Sequence, residues 1–220
     1  MSENINNVFL AVQAETQCPF AESAAITFAR SIPSESSITE AAEQLHEDIA
    51  AYVQEGIGTA PDGLAVALPN TVLGDNLESL ASGFNTLYHG LKIHDGASEE
   101  SLATEDIEDP GWQLTIAGQR LFTLVFSSLY PATSPRHIPE ANTTFLFFQP
   151  VQSFGARLPF DKDSAEFRRT KANIRARFAK AGLAYDDVIH DGPSEAAKYL
   201  APHHLGMQAI RWWTSDQPEA

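Results

Sequence analysis

His89 and His94, in the stretch LYHGLKIHDG, are residues of a type that can bind a metal or carry a proton. Five steps along an α-helix turn the chain by about 500°, so the two rings stand roughly 140° apart. One helix cannot aim both at the same metal, as an i, i+4 pair can. At most one of them faces inward. The adjacent pair His203 and His204 makes a poor chelate, and Cys18 is the only thiol. No GxGxxG, Walker loop, HExxH, CxxC or GxSxG is present. Spacing alone therefore reaches a soluble α+β domain and goes no further.

The chain that must position these residues has 220 amino acids, 43% of them hydrophobic and 20% charged. That is a globular composition, long enough to bury a core without staples. No apolar run has the length of a membrane span. The N-terminus lacks the basic segment of a secretory signal, and one cysteine excludes an internal disulfide, so a cytoplasmic protein is expected. The net charge is −15. Only Arg30 and Lys92 are basic in residues 1–110, against 19 acids; the remaining 12 bases and 10 acids lie in residues 111–220. Such a surface disfavours nucleic acid and is compatible with a small cationic substrate.

Residues 1–17 read as an irregular arm and 18–33 as helix-forming after Pro19. Residues 37–56 form a stronger helix pattern, with Ser37 and Glu40 as a capping box and Ala41, Leu45, Ile49 and Tyr52 on one stripe. GLAVALPN (63–70) reads as a buried strand. Residues 75–96 return to helical period, with Leu77, Leu80, Phe84, Leu87 and Leu91 on the apolar face and His89 on its flank. His94 falls near the helix end, where a cation suits the dipole, and 95–111 is an acidic loop. WQLTIAGQRLFTLVF (112–126) reads as a hairpin and TTFLFFQP (143–150) as a further strand, with a proline-rich structured loop between them. A basic helix follows at 161–182, with Asp163 as its cap, and a short helix begins near Pro193. The fold class is α+β: one domain with a small, mainly antiparallel sheet flanked by helices.

The order of the local motifs says more than any one of them. CPFA (18–21), LYHGL (87–91), DPGWQLTIAGQRLF (109–122), LYPATSPRHIPEANTTFLFFQPVQSF (129–154), IRARF (174–178) and DGPSEAAKY (191–199) together resemble the YqcI/YcgG family. The chain departs from the family pattern at Leu129-Tyr130-Pro131, where many members carry Leu-His-Pro, and at the interrupted Ser134-Pro135-Arg136.

The resemblance implies a haem-binding domain over 18–215 and a haem-dependent N-hydroxylase. Its haem b iron would use oxygen with an external electron donor, or peroxide. The substrate would be arginine or a similar cation. His89 is the first choice of iron ligand, with Cys18 and His137 as the other two. Arg136 would pair with a propionate, Trp112 and Phe122 would wall the pocket, and Glu195 would hold the substrate's guanidinium. Each has an ordinary alternative. His89 could be a half-buried ring bonded to a backbone carbonyl, Cys18 a small core residue, Arg136 a loop brace and Glu195 a first-turn acid. A carrier or sensor without turnover, or a member that has lost haem, is the other functional class. The run Trp212-Trp213 could cover an apolar edge or a homodimer contact.

Overall fold

The computed structural model describes residues 2–153, 164–183, 185, 192, 194–204 and 206–214. Five strands form one sheet in the order β1-β2-β5-β4-β3. They are β1 (Ile26–Phe28), β2 (Gly63–Pro69), β3 (Leu114–Ile116), β4 (Gln119–Ser127) and β5 (Thr143–Pro150). The sheet is mixed. β1 runs parallel to β2, reached by a crossover through a helix, and the other pairs are antiparallel. The α+β single-domain expectation holds, with that one parallel pair added.

Side-chain alternation splits the apolar residues between two faces. Leu64, Val66, Leu68, Leu121, Val125, Leu146 and Phe148 face α3 (Ile38–Ala51) and α5 (Leu77–His94) in the larger core. Ala65, Ala67, Phe145 and Phe147 face the other way, where α1 (Ser2–Ala14) lays Phe9 over them. The Phe9 ring lies 4.9 Å from Phe145 and 5.3 Å from Phe126. Residues 1–17 are thus largely a helix, not an irregular arm; Phe9 is its buried anchor, and Ile5, Val8 and Val12 pack beside it at helical spacing.

Residues 18–33 also differ from expectation. After the short α2 (Pro19–Glu22), Ile-Thr-Phe forms β1 instead of more helix. β-branched and aromatic residues favour the strand once β2 offers an edge. The capping box at Ser37 and Glu40 forms as read, and α3 ends in a π-turn over Tyr52–Gly56. The short α4 (Asn70–Leu73) leads into α5, which is capped by Asn76. Within the acidic segment, Ser98 caps a further short helix, α6 (Glu99–Ala103). The β3–β4 hairpin turns through Ala117 and Gly118, both at positive φ as a two-residue turn requires. The basic helix is α7 (Ala165–Lys180), capped by Ser164; Asp163, the expected cap, lies outside the described residues. Pro193 is also outside them, and the short helix expected there is a 3-10 turn over Ala196–Lys198.

No described helix is long and apolar enough to cross a membrane.

Candidate functional site

Tyr199, just after the 3-10 turn, joins most of the expected site residues. Its buried phenol donates to the Leu121 carbonyl at 3.1 Å and accepts from the Leu114 amide at 3.3 Å, tying it to β4 and β3. Its own carbonyl accepts from the Val125 amide at 3.0 Å, extending the outer edge of β4. Around the ring stand Phe122 at 5.6 Å, Trp112 at 5.9 Å and Trp212, stacked at 6.0 Å. Burial holds the Tyr199 phenol well above its ordinary pKa.

Arg136 is only 6% exposed. Its guanidinium donates to the carbonyls of Tyr199 at 2.8 Å and Lys198 at 2.7 Å. This is the bracing role: a cation closes the C-terminal end of the 3-10 turn, and burial lowers the pKa of the guanidinium. The neighbouring His137 is half-buried, and its Nδ1 lies 2.7 Å from the Tyr130 carbonyl. A carbonyl only accepts, so Nδ1 carries a proton, and in the neutral ring the lone pair is on Nε2. Tyr130 is buried, and its oxygen accepts from the Ala201 amide at 3.1 Å.

Glu195 lies one turn before Lys198 and pairs with its ammonium at 2.8 Å. Trp112 donates its indole N–H to Glu105 at 2.7 Å. The Tyr88 hydroxyl donates to the other oxygen of the same carboxylate, and burial, then this bond, raises the phenol's pKa. His89 is half-buried with its ring edge-on to Tyr88 at 5.5 Å, and neither ring nitrogen is hydrogen-bonded among the described residues. His94, the second ring of the opening stretch, is exposed, 6.1 Å from His46. His46 is half-buried and sits 3.3 Å from Asp95.

Trp112, Phe122 and Arg136 thus meet at Tyr199, Glu195 stands on the adjoining 3-10 turn, His137 lies against the Tyr130 carbonyl next to Arg136, and His89 joins through Tyr88 and Trp112. Cys18 does not. It precedes α2 at the end of α1, and no contact links it to this cluster. Two open hollows, of about 500 and 410 Å³, lie beside α2 and β1 respectively, and no expected site residue lines either. Among the described residues no group of three or more His, Cys, Asp or Glu is arranged to hold a metal ion.

Sequence reasoning passed over Glu105 and Tyr88, and gave Trp212 only as a cover for an apolar edge or a homodimer contact. Tyr88 had a signal, one helical turn after Phe84. Glu105 had none, because nothing in an acidic loop marks which carboxylate turns inward. Trp212 is wholly buried and donates to the Ala196 carbonyl at 2.9 Å, so it covers the chain's own aromatic cluster.

A model of the YqcI/YcgG family matches residues 9–201. The chain belongs to the YqcI/YcgG family. No curated protein and no solved structure matches it. The matched span of this YqcI/YcgG protein includes Cys18, His89, Arg136, His137 and Glu195, and it ends before Trp212 and Trp213.

Proposed function

We propose that this YqcI/YcgG protein is a haem-dependent oxygenase that hydroxylates a guanidine or amine nitrogen of an arginine-like cation. The observation that supports it best is the imidazole of His137. A ligating histidine is normally oriented by an acceptor on its other ring nitrogen. His137 has that arrangement, with Nδ1 tied to the Tyr130 carbonyl and Nε2 left as the donor. One protein donor suffices for a b-type haem. His137 therefore ranks ahead of His89, whose ring lacks such an acceptor. The donor chemistry fits iron, and haem when bound would supply the redox step.

The chain's own residues bind and orient. Arg136 fixes the loop that carries His137 by holding residues 198 and 199. Glu195 would receive the substrate cation. A guanidinium offers a planar fork to a carboxylate where the Lys198 ammonium offers a point charge, so substrate can displace it.

The Glu195–Lys198 pair also favours a second reading. A chain that fills its own anion with its own cation has no need of substrate, as a haem carrier or sensor would not. Turnover with arginine-like cations separates the two.

The test is haem titration followed by optical spectroscopy. Wild type gains a Soret band, His137→Ala loses or shifts it, and His89→Ala keeps it. A band lost only in His89→Ala moves the ligand to α5. A wild type that stays colourless overturns the reading.

A further inference from the structure

We infer that Tyr88, Trp112, Tyr199, Trp212 and Trp213 form a one-electron relay between the buried site and the surface, with Glu105 as proton acceptor at its inner end. The rings are continuous. Tyr88 meets Trp212 directly at 5.3 Å and also through Trp112 (5.9 Å) and Tyr199 (5.9 Å from Trp112, 6.0 Å from Trp212 with planes 8° apart), and Trp212 to Trp213 is 5.5 Å. Trp212 is wholly buried and Trp213 is half-exposed, so the chain of rings reaches solvent at one end only.

The choice of rings argues for more than packing. The opposite face of the sheet is also aromatic, but it is built from Phe9, Phe28, Phe126, Phe145 and Phe147. Phenylalanine fills space and resists one-electron oxidation. All three tryptophans of the chain stand on the other face, together with Tyr88 and Tyr199. Phenylalanine would serve there equally well if apolar volume were the only requirement.

The hydrogen bonds supply the second argument. Oxidising a phenol or an indole makes its O–H or N–H strongly acidic, so a ring that rests as a neutral radical needs a base within reach. Both ends have one. Tyr88 and Trp112 donate to Glu105, and the indole of Trp213 donates to Glu108 at 3.3 Å. The middle rings do not: Trp212 donates to a neutral carbonyl, and so does Tyr199. A charge placed on them keeps its proton and moves on. Burial keeps the Tyr88 phenol un-ionised at neutral pH, so its electron and proton leave together.

The balance is simple. One electron leaves Tyr88 for a one-electron oxidant, an oxidised haem under the proposed function, and the phenolic proton passes to Glu105, leaving a neutral tyrosyl radical and a neutral carboxylic acid. An electron then moves inward from Trp213 to Trp212 and on to Tyr88, directly or by way of Tyr199 and Trp112, and the Glu105 proton returns to Tyr88. Trp213, its indole proton shared with Glu108, is refilled by a small one-electron reductant in solution. The use of the relay, discharging an oxidised haem when no substrate is bound, rests on the proposed oxygenase activity. Its ability to conduct does not.

Conduction is tested without haem. A photogenerated ruthenium(III) complex with persulfate oxidises the exposed end, and freeze-quench electron paramagnetic resonance reads where the radical settles. Wild type shows a neutral tyrosyl radical that disappears in Tyr88→Phe. Trp213→Phe, a change at a half-exposed ring checked by circular dichroism, loses the same signal. Glu105→Gln gives tryptophanyl radical in its place. A tyrosyl signal that survives Tyr88→Phe, or is equally strong in Trp213→Phe, overturns the relay. A colourless haem titration beside a positive result here sinks the oxygenase alone, and the reverse outcome sinks the relay alone.

Discussion

Replacing Arg136 by lysine or by methionine separates two views of a buried cation. The guanidinium is 6% exposed, bonds two carbonyls and meets no carboxylate among the described residues. Each bond from a charged donor contributes about 1.5–3 kcal/mol. Against the pair stands a desolvation cost of several kcal/mol for the ion. The two nearly offset, so the residue's value lies in its forked geometry and not in its charge. Methionine removes both bonds and relieves the desolvation. Tyr199 keeps its bond from the Val125 amide, whereas the Lys198 carbonyl is stranded, a loss of about 1–3 kcal/mol. Lysine keeps a charge in the same place but cannot span both carbonyls, so it costs about 2–4 kcal/mol. In a chain of this length that corresponds to a melting temperature lower by about 4–16 °C. Thermal and urea unfolding of the three proteins decide the matter. Lysine within about 0.5 kcal/mol of wild type, or more stable than methionine by over about 1 kcal/mol, would refute the reasoning, because charge would then be the stabilising element.

Two further outcomes follow from the fold. Gly83→Ala in α5 gains about 1 kcal/mol of helix propensity, but the new Cβ would lie 1.8 Å from the Leu73 carbonyl oxygen at the end of α4. Overpacking against backbone wins, for a net loss of about 1–3 kcal/mol by chemical denaturation, and a stabilised variant would show that α4 and α5 are not so close. Alkaline pH destabilises the protein through Tyr52, Tyr88, Tyr130 and Tyr199, whose phenols burial pushes above their ordinary pKa. The unfolded phenols ionise near pH 10 and the folded ones do not. This stability is therefore complete below about pH 10 and declines by about 1.4 kcal/mol per tyrosine for each pH unit above it. Tyrosinate absorbance should rise together with loss of circular dichroism; ionisation of all four in a folded chain would contradict the burial.

The strongly periodic parts of the fold were legible in the sequence. Leu80, Phe84, Leu87 and Leu91 face the core of α5 as their spacing requires, and Ala117-Gly118 turns the hairpin. β1 was not legible, because it is short and its partner is distant, Ile26 needing Gly63; α1 carries Ile5, Val8, Phe9 and Val12 at helical spacing, a stripe that the reading of an irregular arm missed. The site divided in the same way. Motif order brought Arg136, His137 and Glu195 to attention, and folding placed Arg136 beside Tyr199 and Lys198, Glu195 beside Lys198, and His137 against the Tyr130 carbonyl. The preference for His137 over His89 could not be read, since it depends on the Tyr130 carbonyl, a backbone atom that side-chain patterns do not report.

The pairing of Leu64 with Phe148 places a demand on biosynthesis. β2 is an all-apolar strand, and residues 70–142 must leave the ribosome before β5 can cover its edge. Until then the nascent chain displays an uncapped hydrophobic ribbon of the kind that recruits copies of itself. The 19 acids of residues 1–110, set against two bases, are all in place before β5 is made, ten of them ahead of β2 and nine after it. Mutual repulsion between neighbouring nascent chains on a polysome would keep those ribbons apart until the missing strand arrives.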